Sequence, residues 1–158
     1  MSFINPMELL DVKEIDIANI KRVKRRKLLE FELSDDGMIN YGKNKVTKSD
    51  FIRVTDELDN KDKAEFYLFI KNNPNLNAFL KNGDPIFFTD FRHESIYSDT
   101  DFTDFISQYF SEQYNKVLLE AFVFKDRNLM KRLVANPLLI NSVDIDKTYK
   151  GLADYIKK

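Results

Sequence analysis

The stretch Phe102-Thr103-Asp104-Phe105-Ile106-Ser107-Gln108-Tyr109-Phe110, extended by Val117-Leu118-Leu119-Glu120-Ala121-Phe122, decides the fold class of this 158-residue chain. Phe102, Phe105, Ile106, Tyr109 and Phe110 recur three and four residues apart, and Val117, Leu118, Ala121 and Phe122 continue the pattern. That is the period of a helix with one apolar face, whereas a half-buried strand alternates every second residue. The spacing predicts the longest helix of the chain, opened by the polar cluster at residues 98–101. Its aromatic stripe could serve as a stacking platform for bases, but such spacing is what burial requires, so these residues are assigned to the core. The stripe is broad enough to leave part of itself as a hydrophobic contact or as a surface for self-association through the C-terminal helices.

Outward toward the C-terminus, a further helix is expected near Arg127 to Ala135, closed by Asn136-Pro137, and a last one from about Asp144 to Lys157-Lys158. That last helix stops without a clear terminating signal, so the chain is expected to be the front part of a longer protein. In the other direction, Ile86 to Phe91 reads as a strand or a packed loop behind the turn Asn82-Gly83-Asp84-Pro85, and Leu76 to Leu80 as a short helix. Asn72-Asn73-Pro74 is the strongest punctuation, because proline disfavours helix in the residue before it. It suggests two helical units, residues 1–72 and 73–158.

In the first of these, Asn5-Pro6 is a good helix start, with asparagine as cap and proline at the first helical position. A short helix over about Pro6 to Val12 is followed by a second, capped by Asp16, which carries Ile17, Ile20, Val23, Leu28 and Phe31 and runs to about Leu33. Ser34-Asp35-Asp36-Gly37 stops it. Turn residues between two β-prone runs suggest a short hairpin near residues 38–46. Thr47 with Asp50 resembles a capping signal for a third helix, which bears Phe51, Ile52, Val54 and Leu58 and then, past a polar interruption at 59–63, Phe66, Leu68, Phe69 and Ile70. The expected class is therefore all-α, with that hairpin as a minor element.

Composition agrees with a packed chain: 43% of residues are apolar, and 14 Phe and 7 Tyr supply large pieces of core. A chain of this length hides roughly 68–70% of its unfolded surface, enough to fold without metal or disulfide. The 25 basic and 26 acidic residues leave a net charge of −1, so no global field attracts nucleic acid or membrane and any electrostatic function must be local. The absence of cysteine removes disulfides, thiol nucleophiles and cysteine-ligated zinc. With neither a leader-like N-terminus nor a run long enough to span a bilayer, the expected location is cytoplasmic, with no membrane partner.

Met7-Glu8-Leu9-Leu10-Asp11-Val12 resembles the tyrosine-glutamate-hydrophobic-leucine-glycine-valine opening of a J-domain, the helical module of chaperone co-factors. Ile20-Lys21-Arg22 is similar to the start of that family's basic second helix, and 57–67 to the end of its third, so the likeness covers about Ile4 to Ile70. The family's His-Pro-Asp turn is missing: Glu32-Leu33-Ser34-Asp35 stands in that region, and Lys24 and Lys27 occupy positions where a tyrosine and a leucine are usual. The resemblance implies a degenerate J-like scaffold that keeps its helix pair for docking and does not stimulate a partner chaperone's ATPase.

The run Lys21-Arg22-Val23-Lys24-Arg25-Arg26-Lys27 places six cations in seven positions of the second helix. Like charges four apart oppose a helix by roughly 0.2–0.5 kcal/mol per pair, so the run points to an anionic partner bound by Lys21, Arg22, Lys24, Arg25, Arg26 and Lys27. The competing reading is a solvated face neutralised by the flanking Glu14, Asp16, Glu30 and Glu32. Acidic clusters at 35–36, 56–59 and 99–104 would repel a long polyanion, which favours an acidic protein surface over nucleic acid phosphate, the alternative partner.

His93, the only histidine, lies near Asp99, Asp101 and Asp104. These acids lack the glycine and distal glutamate of a calcium loop, and a second histidine for zinc does not exist, so neither metal nor cofactor is expected. Four glycines, at 37, 42, 83 and 151, cannot build a phosphate-cradling loop or a dinucleotide fingerprint, and no Gly-x-Ser-x-Gly elbow occurs. The expected protein is a non-enzymatic adaptor.

Overall fold

The computed structural model describes residues 2–136 and 139–156. Among them the chain forms nine α-helices and a single two-stranded hairpin, the all-α architecture with one minor β element that the periodicity implies. It divides into two compact units, Ile4–Asn73 and the residues from Pro74 onward joined by Ser2 and Phe3.

The first unit opens with α1 (Pro6–Leu9), where Asn5 Oδ1 accepts from Met7 N at 3.0 Å and Pro6 gives up no hydrogen bond. This helix is shorter than the 6–12 expected: Asp11 takes a left-handed backbone, φ +52°, and breaks it before Val12. The second helix, α2 (Ile17–Leu33), starts on the Asp16 carboxylate, which accepts from Asn19 N, and ends at the extended Ser34. Ile20 and Phe31 are its buried residues, whereas Ile17, expected on the same stripe, is exposed.

The hairpin pairs β1 (Met38–Tyr41) with β2 (Asn44–Thr47) so that Ile39 and Val46 face each other inside. Gly42 takes φ +59° at the first turn position, where a two-residue turn of the right twist needs it. Thr47 Oγ1 then accepts from Asp50 N and caps α3 (Lys48–Asp56), as its sequence signal implied. The single interrupted third helix is corrected to two. A 3₁₀ turn over Glu57–Asp59 leads into an extended Asn60, whose side chain accepts from Lys63 N and starts α4 (Lys61–Lys71) afresh.

Asn5, fully buried, ties this unit together. Its backbone N–H donates to the Tyr41 hydroxyl at 3.1 Å, and its Nδ2 donates to the Tyr67 carbonyl at 3.0 Å. Phe31 of α2 meets Phe51 of α3 with ring centres 5.3 Å apart, which fixes the buried face of α2.

The second unit contains α5 (Pro74–Asn82), α6 (Ile86–Thr89), α7 (Thr100–Val123), α8 (Arg127–Ala135) and α9 (Ser142–Ile156). The segment expected as strand or loop over 86–91 is instead a single helical turn, because Asp84 accepts from Ile86 N and Pro85 already has helical φ, −68°. That turn buries Phe87 and Phe88 beside Phe79 and Phe110, whose rings lie 4.8 Å apart. Phe3 packs edge-on against Tyr109. Ser107, buried in α7, accepts from Asn141 N and donates to Asp144, and this fixes the start of α9 at Ser142, two residues before the expected Asp144. The expected terminators Pro137 and Lys157-Lys158 lie outside the described residues.

Gly83 takes φ +71°, and a Cβ there would stand 2.8 Å from Gln113 Oε1 and 3.2 Å from Val117 Cγ2. A non-glycine residue in that conformation costs roughly 1–2 kcal/mol. Gly83→Ala is therefore expected to lower the urea midpoint by that amount of stability, whereas Gly151→Ala, in an open helical position, is expected to leave it unchanged or raised.

Tyr114 donates to the Leu133 carbonyl at 2.9 Å, and burial, helped by Tyr149, pushes its pKa from 10.0 up to about 12. The fold thus favours the neutral phenol: its contribution is whole below pH 10.0 and is lost as pH climbs through about 12. Alkaline unfolding should accordingly be less steep in Tyr114→Phe over that window, at the loss of about 1 kcal/mol for the hydrogen bond. Equal steepness in both proteins would contradict this.

Candidate functional site

At about 100° per residue, Ile20 and Phe31 fix the inward side of α2 and leave Arg22, Arg25 and Arg26 on the outward side. Lys21 lies between and is exposed, while Lys24 and Lys27 lie along the edges of the buried face and are half-buried. The six expected cations are therefore divided by the helix into two groups.

Lys24 reaches the Asp56 carboxylate of α3, and Lys27 pairs with Glu30 at 3.5 Å. Both pairs retain water contact, where such pairs contribute about 0–1 kcal/mol. Lys21, Arg22, Arg25 and Arg26 make no ion pair among the described residues, and Arg22 instead donates to Asn19 Oδ1 at 2.6 Å. Three of the four flanking acids are otherwise engaged: Asp16 caps its own helix, Glu30 takes Lys27 and Glu32 takes Lys48, while Glu14 makes no ion pair with the run among the described residues. Neutralisation by the flanking acids thus describes Lys27 alone; Lys24 is met by a distant acid of α3, and the other four have no ion pair among the described residues.

The outward face also carries two side chains that composition alone did not single out. Leu29 is 64% exposed and Leu33 85% exposed. Arg22, Arg26, Leu29 and Leu33 are spaced four, three and four, so they form one stripe along α2. That spacing was available in the sequence, but the inward side had first to be fixed by Ile20 and Phe31. Beyond the stripe stand the exposed Asp35 and Asp36, the latter held ionised far below the usual carboxylate range by Lys45, Ser34 and Met38 N.

The other candidates resolve into structural roles. Phe102, Phe110 and Tyr114 of α7 are fully buried and cannot stack on bases. Asp99 caps α7, and Asp104 accepts from Asn141. His93 is exposed and lies edge-on to Tyr97, and among the described residues no three His, Asp or Glu side chains gather closely enough to hold a metal. Phe122, Val123 and Phe124, at the end of α7, remain exposed, with Tyr155 of α9 against Phe122. Among the described residues no helix is long and apolar enough to cross a membrane.

Compared with protein families, curated proteins and solved structures, the chain matches none.

Proposed function

We propose that this protein is a non-enzymatic adaptor, acting in the cytoplasm, that docks an acidic protein surface through α2. The observation that carries this reading is the group Lys21, Arg22, Arg25 and Arg26: four exposed cations without an acidic partner among the described residues, packed close enough to repel one another. Keeping them together opposes the helix, and a carboxylate-bearing partner relieves that repulsion. The exposed end of α7 would add a hydrophobic contact or self-association, and sedimentation at rising concentration would show it as a growing mass.

The resemblance to J-domains supports the same helix as the docking element, and the missing His-Pro-Asp turn means that no stimulation of a chaperone ATPase accompanies docking. Nucleic acid is the alternative occupant, favoured by the three free arginines. The exposed Asp35 just past the end of α2 opposes it, since a long polyanion would run into it. The deciding experiment is capture from cell extract with the wild-type chain and with Arg22→Glu/Arg25→Glu/Arg26→Glu. Loss of the captured acidic protein in the reversed chain is expected, and identical capture rules the surface out. An oligonucleotide bound tightly at low salt, with affinity falling steeply as salt rises, would shift the assignment to nucleic acid.

A further inference from the structure

From the stripe on α2 we infer that the docked segment is itself an acidic amphipathic helix, lying along α2, with carboxylates over Arg22, Arg25 and Arg26 and apolar side chains over Leu29 and Leu33. This rests on the docking reading above and adds the partner's form. Charge alone would be satisfied by any acidic surface. The two leucines are a separate observation: they continue the line of the free arginines, at 64% and 85% exposure, while the opposite side of the same helix is already covered.

Spacings of four, three and four are what a second helix needs to keep contact along its length, because residues so spaced stay on one face of α2. A strand laid on α2 would match no such period. From Arg22 to Leu33 the stripe extends about 16 Å, or three turns, which suits a segment of about 14 residues. Helix-on-helix recognition of this kind draws its affinity from apolar anchors and its orientation from charge. The arginines stand toward the N-terminal half of the stripe and the leucines toward its C-terminal end, where Asp35 and Asp36 follow. The partner helix is therefore asymmetric: acidic over one half, apolar and poor in acid over the other.

The test uses the full chain and three fluorescent probes of about 14 residues: an acidic peptide with leucines at helical spacing, the same peptide with those leucines replaced by serine, and a single-stranded oligonucleotide. The leucine-bearing peptide is expected to bind most tightly. Leu29→Ser/Leu33→Ser should weaken it about tenfold, and Arg22→Glu/Arg25→Glu/Arg26→Glu about a hundredfold. These side chains are exposed, and circular dichroism of each variant should match the wild type. Equal affinity for the leucine and serine peptides, or no effect of the leucine substitutions, overturns the helical partner and leaves the basic docking face standing. Binding of neither acidic peptide, or indifference to the arginine reversals, overturns both. Tighter binding of the oligonucleotide with displacement of the peptide also overturns both.

Discussion

Phe110→Ala is expected to destabilise the second unit by about 3–5 kcal/mol, the range for removing a large aromatic side chain from a packed core. The ring is fully buried and meets Phe79, Phe87, Phe88 and Tyr114 at centre distances of 4.8, 5.8, 6.0 and 6.2 Å. It is the point at which α5, α6 and α7 converge, so alanine leaves a cavity bordered by other rings that cannot all move in to fill it. With whole-domain stabilities of about 5–15 kcal/mol, much of the stability of residues 74 onward is at stake. Hydrogen exchange should show protection lost over α5, α6 and α7 together. Phe124→Ala is the contrast: that side chain is 79% exposed, and its removal should change stability by no more than about 0.5 kcal/mol. Similar losses for both would mean that the aromatic core has been misidentified.

The second large effect belongs to the first unit. Asn5→Ala removes the cap of α1 and the Nδ2 bond to the Tyr67 carbonyl in a site closed to water, while the backbone bond to Tyr41 survives. A lost cap costs about 1 kcal/mol, and a buried bond to the carbonyl about as much again or more, so a loss of about 2–3 kcal/mol is expected in urea unfolding. Asn5→Asp separates the two contributions. It keeps the acceptor for Met7 N but turns a carboxylate toward the Tyr67 carbonyl, and it should be at least as damaging as alanine. If Asn5→Asp unfolds with the wild-type midpoint, the Tyr67 contact carries nothing. Exchange protection should fall over α1, β1 and α4 in both variants.

How far the sequence could be read depended on the range of the forces involved. The long helix was legible because Phe102, Ile106, Phe110, Val117 and Ala121 keep to one helical period over several turns, and the starts of α1, α2 and α3 because Asn5, Asp16 and Thr47 bond to amides two or three residues away. Short elements escaped. The helical turn at Ile86–Thr89 has too few residues to display a period, and its two phenylalanines pack onto Phe79 and Phe110, far away in sequence. The division of the third helix at Asn60 hangs on one cap, and the early end of α1 on one left-handed residue, Asp11.

The same limit governs the candidate site. Six cations in seven positions are plain in the sequence, but which of them remain free is settled by tertiary partners. Asp56, which takes Lys24, lies 32 residues along the chain, and Lys48, which takes Glu32, belongs to another helix. Neither pairing can be read from the run itself. Leu29 and Leu33 gain meaning only once the covered side of α2 is known.

The most direct test of the central claim is to titrate isotope-labelled full-length chain with the leucine-bearing acidic peptide and follow every backbone amide by NMR. The basic face predicts that shifts gather at Lys21, Arg22, Arg25, Arg26, Leu29 and Leu33 and vanish when the three arginines are reversed. Saturation with α2 unmoved, or shifts gathered on α7 and α8 instead, would contradict it.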